Sequence, residues 1–412
     1  MKRILSFFIS AFTLAFLICG CGTQYLGGDR IEKWEKDLNY LQEALPNKHA
    51  NLFFKMDKNE FYNDIDNLKN NLSNMTDEEI TIEIYRILAK VGDPHTKVYK
   101  EYEKRFPVIF SYFGDDIYLT HTSDDYSEAI NCKLKAVNGI DVDEIKNRLN
   151  PLVSQANEAK IKYTSPSFLQ RPDILKGVGI INDGESAVFT FENNKGNDFN
   201  LDIKAVDNES GIINMDDNYD ENVPLYRQRS DLNYWYKYLE EDKILYFKYN
   251  HCTEYDEESG DINKVIDEMI DYIDKDKVNK IVIDIRDNGG GRDNRLHSLI
   301  DKIYESDLND YNKFFVIVGK ATFSASIVDA CLIRKNTNAT FLGEPTGGTP
   351  RHYGVTKGFS LPNSKLKISY STTFVNVSDD YNESFMPDKK IEVTIDDYKN
   401  NVDPIMEFIK AK

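Results

Sequence analysis

The chain has 412 residues, of which 41% are hydrophobic, and a formal net charge of −18. That length suits two or three folded units, each able to bury a core. So acidic a chain makes nucleic acid and anionic headgroups poor partners, and its acids are spread along the sequence as solvated surface.

At the N-terminus, Met1, Lys2 and Arg3 precede an apolar run from Ile4 to Ile18, too short for a comfortable membrane span. The run closes in LICGC, Leu17 to Cys21, which resembles a bacterial lipoprotein cleavage box. The resemblance implies a signal peptide over residues 1–20, a lipidated Cys21, and a short tether over 21–29. It also implies an extracytoplasmic protein, lipid-anchored to the bacterial cell membrane. An ordinary signal peptide that ends near a cysteine is the alternative. Cys132, Cys252 and Cys331 then remain, an odd and widely spaced set that suits neither a disulfide framework nor a zinc site. Cys331 reads as a buried small hydrophobe.

Residues 30–104 read as a helical region. Trp34, Leu38 and Leu41 fall at helical spacing, as do Ile80, Ile84, Ile87 and Leu88. Thr76 and Glu79 form a capping box at the start of the latter helix. That helix runs out at Gly92, which leaves His95 on a loop.

Residues 105–206 carry short strand-like runs at Pro107 to Phe113, Ile117 to Thr122, Ala187 to Phe191 and Leu201 to Val206. Between them, Asn138-Gly139 joins two apolar runs and leads into a helix. This segment resembles a divergent PDZ module, an α+β fold that binds extended peptides by strand addition. A small spacer without a ligand is the plainer reading. Residues 150–180 look inserted.

From Lys243 onward strands and helices alternate, which argues parallel βαβ units and an α/β core over residues 207–412. IVIDIR (Ile281 to Arg286) and FFVIVG (Phe314 to Gly319) read as strands buried on both faces. The first runs into the glycines Gly289 to Gly291, the second into a helix that opens at Ser324. After Gly348 the pattern turns antiparallel. Glycine turns and helix starts at the carboxyl ends of neighbouring strands are where ligands gather in open α/β sheets. Such a place can supply a nucleophile and backbone donors for an oxyanion.

Four segments carry a resemblance to the tail-specific (C-terminal-processing) serine proteases and their tricorn-type relatives. They are VGDPHT from Val91, DIRDNGGG from Asp284, TFSAS from Thr322 and GEPTGG from Gly343. FMPDKKIEV, from Phe385, resembles the closing segment of the same family. The resemblance runs from about residue 30 to the end of the chain. It implies a crotonase-like (ClpP/crotonase-type) peptidase core, no cofactor, and a peptide or protein substrate.

The resemblance also assigns roles. Ser324 is the nucleophile, and the N–H groups of Gly290 and Ala325 form the oxyanion hole. Asp284, Arg286 and Asn288 belong to the structural turn. The residues alone leave other readings open: Ser324 as a helix N-cap, the glycines as a chain reversal, Ser326 as a rival serine. The lysine base of tail-specific members falls on Thr349, which cannot act as a base near neutral pH. The tricorn-type histidine falls on His95, whose unperturbed pKa suits the task. The serine that precedes that histidine in tricorn-type members is replaced by Pro94, leaving its orientation to another group such as Asp93. His352 is a second candidate base, and Glu383 a candidate acidic partner. The rival to a peptidase is an inactive lipoprotein that keeps the groove and binds peptides or partner proteins. No phosphate loop and no metal-ligand spacing is present in the sequence.

Overall fold

The computed structural model describes residues 30–208, 213, 220–275, 277–292, 295–378 and 383–412. The expected signal peptide, Cys21 and tether lie outside the described residues. The chain forms two compact units: residues up to Asn214 with Tyr353–Phe374, and residues 215–352 with Val375–Lys412. The segment expected to be one core from residue 207 is thus divided, and Tyr353–Phe374 packs within the first unit.

The first unit opens with helices α1 (Arg30–Lys48), α2 (Lys58–Asn71) and α3 (Asp77–Lys90). Trp34, Leu38, Leu41 and Leu45 of α1 are buried, a stripe repeating every three to four residues. Asp37 interrupts that stripe and is also fully buried. It accepts the N–H groups of Asn363 and Ser364, both at 2.7 Å, and so holds a turn far along the chain. The capping box of α3 is present: the Thr76 N–H donates to Glu79 Oε2 at 2.7 Å, and the Glu79 N–H to Thr76 Oγ1 at 3.2 Å.

After α3 come β1 (Lys97–Tyr99), β2 (Lys104–Arg105), β3 (Val108–Phe113), β4 (Asp116–Thr122), β5 (Lys133–Val137) and β6 (Ile140–Asp141). The expected turn at Asn138 and Gly139 joins β5 to β6, and Asn138 and Gly139 both take positive φ. Helices α4 (Val142–Leu149), α5 (Glu158–Thr164) and α6 (Pro172–Gly177) fill the segment that looked inserted. Then β7 (Ser186–Glu192), β8 (Asp198–Lys204) and β9 (Val206–Asp207) follow. The main sheet runs β3-β4-β5-β7-β8, every pair antiparallel.

The second unit is built on a sheet of order β10-β11-β14-β15-β16-β19. Its strands are β10 (Tyr234–Leu239), β11 (Ile244–Tyr249), β14 (Lys280–Asp284), β15 (Phe314–Val318), β16 (Thr340–Gly343) and β19 (Lys389–Lys390). A small hairpin, β12 (Tyr255–Asp256) and β13 (Gly260–Asp261), precedes helix α7 (Ile262–Asp274). All neighbours from β11 to β19 are parallel, as the alternation predicts. The closing segment supplies β19, which pairs with β16.

Side chains alternate across this sheet. Leu245, Phe247, Ile281, Ile283, Phe314 and Val316 form one core with α7, α8 (His297–Tyr304) and α9 (Ala325–Asn336). Ile244, Tyr246, Val282, Phe315 and Ile317 form another with Ile405, Met406 and Ile409 of the C-terminal helix α11 (Pro404–Lys410), which follows α10 (Ile395–Lys399). Burial on both faces explains the unbroken apolar runs in the sequence.

The remaining strands, β17 (Arg351–Ser360) and β18 (Lys367–Asn376), carry the chain out of the second unit and back. β18 pairs antiparallel with β1.

Candidate active site

Three turns leave the carboxyl ends of the neighbouring parallel strands β14, β15 and β16, and the recognised motifs occupy all three. Ser324 sits on the middle one, immediately before α9. Its backbone has φ 57° and ψ −122°, a combination sparsely populated by residues with a Cβ. Such strain persists only where the surroundings enforce it, and it gathers at functional sites. Although Ser324 occupies the N-cap position, its side chain makes no capping hydrogen bond.

Ser326 does the tying instead. It is fully buried, with Oγ 2.8 Å from the Asn288 carbonyl and accepting the Phe323 N–H at 3.0 Å. The rival serine therefore joins the start of α9 to the glycine turn. Thr322 adds a second tie, donating to the Ile285 carbonyl at 2.8 Å.

In the glycine turn, the side chain of Asn288 is buried and donates to the Tyr249 carbonyl at 2.8 Å. Its Oδ1 accepts the Gly290 N–H at 2.8 Å. The Gly290 N–H, which the resemblance has as an oxyanion donor, is thus engaged inside the turn. Gly290 is needed for another reason. At φ 100°, a Cβ there would lie 2.7 Å from the Phe323 carbonyl oxygen and 3.0 Å from the Ala325 nitrogen. Gly290 and the Ser324 segment are thus in direct contact.

Gly291 meets the other neighbour. The Gly290 carbonyl accepts the Cys252 N–H at 3.0 Å, and the Arg292 N–H donates to the Cys252 carbonyl at 2.7 Å. In a trans peptide N–H and C=O point opposite ways. The Gly291 N–H therefore points away from Cys252, and it has no acceptor among the described residues. Ala325 stands at the first position of α9, where the backbone N–H groups have no intrahelical acceptor.

Asp284 and Arg286 hold the turn from the opposite face of the sheet. Arg286 Nε donates to Asp284 at 3.0 Å, Nη2 donates to Asp403 at 2.9 Å, and the guanidinium stacks on Tyr226. Tyr246 donates its hydroxyl to Asp284 at 2.6 Å. Burial alone would raise the Asp284 carboxyl, but Arg286 and Lys248 hold it below its ordinary range. Lys248 is buried among these acids, 2.5 Å from Asp287 Oδ2, so it serves this network. Asp403 also caps α11, a link that sequence reading missed.

The third turn packs on the Ser324 segment. The Gly348 N–H donates to the Thr322 carbonyl at 2.9 Å, and a Cβ on Gly348 would lie 2.8 Å from Phe323 Cα. Thr346 accepts the Phe385 N–H at 3.0 Å, which brings the closing segment to this turn. Glu383, two residues before Phe385, is exposed. His352 follows the turn, and its Nδ1 lies 2.7 Å from the Thr349 carbonyl. A carbonyl only accepts, so Nδ1 carries the proton.

His95 belongs to the first unit. It lies on the loop after α3, and its side chain is 13% exposed. Its backbone N–H donates to Asp93 Oδ1 at 3.0 Å, and its Nδ1 lies 3.6 Å from the same oxygen. The Ser369 hydroxyl donates to the His95 carbonyl at 2.6 Å. Burial would raise the Asp93 carboxyl, but hydrogen bonds from His49, His95 and Thr96 hold it far below its ordinary range. Cys132, Cys252 and Cys331 are buried and lie outside any disulfide, and Cys331 was expected to be buried.

No family model matches the chain, and no curated protein does. Solved structures do match. Mature CPAF complexed with lactacystin is 12% identical, with a TM-score of 0.65, covering 92% of this chain and 97% of that one. Mature CPAF alone gives a TM-score of 0.64 at 12% identity, covering 92% and 96%. The tricorn protease gives a TM-score of 0.45 at 14% identity, covering 92% of this chain and 36% of that one. At such identities the likeness to CPAF establishes a shared fold.

Proposed function

We propose that this chain is a serine peptidase that acts through an acyl-enzyme on Ser324. The observation that carries the reading is the strained backbone of Ser324 at the head of α9, in contact with Gly290. The shared fold with CPAF, over nearly the full length of both chains, supports it.

In this mechanism Ser324 Oγ attacks the scissile carbonyl and His95 takes its proton. The Ala325 N–H and the Gly291 N–H, replacing Gly290, stabilise the tetrahedral oxyanion. His95 then protonates the leaving amine, and water resolves the ester. Asp93 orients His95 in place of the missing serine, and Glu383 is the further acidic partner. The core is crotonase-like. The module over residues 105–206 is PDZ-like and holds extended peptides at a sheet edge. Export on a signal peptide and a lipid on Cys21 place the enzyme on the outer face of the bacterial cell membrane.

A fluorophosphonate probe tests the nucleophile: it labels Ser324 in the wild type and fails on Ser324→Ala. Labelling that survives this substitution moves the role to another residue. If Ser324 is never labelled while peptides bind, the protein is the inactive binding relative. Metabolic lipid labelling that survives Cys21→Ala removes the anchor.

A further inference from the structure

Donors from separate stretches of the first unit converge on the carboxylate of Asp93. Its Oδ2 receives His49 Nε2 at 3.0 Å, Thr96 Oγ1 at 2.6 Å and Ser371 Oγ at 2.7 Å. Its Oδ1 receives the His95 N–H at 3.0 Å and faces His95 Nδ1 at 3.6 Å. The side chains of His49 and Asp93 have no exposed surface. His49 and His95 are the titratable groups that meet this carboxylate; Thr96 and Ser371 bring neutral hydroxyls.

The proton on His49 is fixed by its other neighbour. Its Nδ1 accepts the Asn51 N–H at 3.0 Å, so that nitrogen holds no proton. A neutral imidazole has one N–H, and here it is Nε2–H, aimed at Asp93. Asp93 thus keeps its negative charge, because a neutral partner occupies the site where a lysine would cancel it. With Oδ2 filled by three donors, Oδ1 is the oxygen left for the ring of His95.

We propose that His49 is a positioning residue for His95. By filling Oδ2 it fixes the Asp93 carboxylate, and Oδ1 then selects the Nδ1–H tautomer of His95. That tautomer leaves the Nε2 lone pair a general base needs, and the intact charge of Asp93 stabilises the imidazolium formed when His95 takes the serine proton. At 3.6 Å the Nδ1–Oδ1 separation is longer than a hydrogen bond, and catalytic contacts of this kind commonly tighten when substrate binds. The catalytic half of this inference rests on the peptidase reading; the pairing of opposite tautomers does not.

Nitrogen-15 NMR of the full chain, labelled at histidine, tests the tautomers without any need for activity. Near neutral pH, His95 is expected to carry its proton on Nδ1 and His49 on Nε2. A dominant Nε2–H form of His95 in the wild type overturns the proposal. Kinetics then test the positioning. His49→Leu keeps much of the buried volume and removes the donor; it should lower kcat by roughly 10-fold or more at nearly unchanged KM. His49→Gln, whose amide can donate to Asp93, should recover most of that loss. Equal losses in both variants, or a change confined to KM, overturn the positioning role. A variant that does not fold leaves the wild-type tautomers to decide. If the wild type cuts no peptide and Ser324 takes no probe, the peptidase reading fails by its own test, and the tautomers still decide the pairing.

Discussion

A Cβ at position 290 would lie 2.7 Å from the Cβ of Ser324, closer than two such carbons can approach. The glycine turn and the Ser324 segment are therefore fitted to one another at the level of single atoms. Gly290→Ala should destabilise the second unit by about 2 kcal/mol or more, from the contact together with the positive φ, and should abolish probe labelling. Gly289→Ala, where an added Cβ meets nothing within 4 Å, should be near neutral in the same thermal melts.

The pose of Ser324 has its own signature in stability. Glycine enters that region of φ and ψ without a Cβ penalty, and alanine does not. Ser324→Gly should be more stable than Ser324→Ala by about 1 kcal/mol in denaturant unfolding, though both lack the hydroxyl. Equal stabilities would mean that the backbone at Ser324 is unstrained. Ser326→Ala should cost about 1–3 kcal/mol, because its buried hydroxyl joins two turns, while leaving the labelled residue unchanged.

Asp93 should make stability depend on acid. Its folded carboxyl titrates below its unfolded one, so its contribution is present above about pH 4 and is lost as pH falls towards the folded value. Urea titrations of the wild type and Asp93→Asn should differ most near neutrality and converge as pH drops. A gap that stays constant with pH would remove Asp93 from the acid response.

The base can be read from rate profiles. With His95 as the base, kcat/KM should rise with pH along an acidic limb, and His95→Ala should erase that limb and lower the rate ~10²-fold or more. His352→Ala should leave the limb in place. The opposite pattern would transfer the base to His352, which lies in the same unit as Ser324.

Arg286 and Asp403 form a buried pair that ties the glycine turn to α11. Removing Asp403 leaves Arg286 with Asp284 as its remaining carboxylate partner. Asp403→Ala should therefore cost about 2–4 kcal/mol, from a lost charge-assisted hydrogen bond and the lost α11 cap. Chemical denaturation at neutral pH measures this directly.

Local signals were legible in the sequence, and long-range ones were not. The double-sided burial of Ile281–Ile285 and Phe314–Val318, the capping box of α3 and the Asn138-Gly139 turn each leave a mark within a few residues. So did the placement of Ser324 before a helix. Asp37 left a mark too: it is an acid in the middle of an apolar stripe, which signals a buried partner without naming Asn363 and Ser364. The use of the Gly290 N–H by Asn288 could not be read, because it depends on how one side chain turns toward the backbone two residues ahead of it. His49 left no periodic signal, since its partner Asp93 lies on a separate loop.

The exchange of Tyr353–Phe374 into the first unit sets an order of events during synthesis. The chain passes between the units more than once, so no single cut yields two complete fragments. Phe359, Leu361 and Ile368, which finish the first core, and Ser371, which finishes the seat of Asp93, leave the ribosome after Ser324 does. The setting of the proposed base is thus closed by residues made after Ser324, and the second unit in turn waits for Val375–Lys412, whose Asp403 braces Arg286. Neither unit is whole until translation is nearly over, so a chain shortened at its C-terminus would carry Ser324 in an unfinished setting.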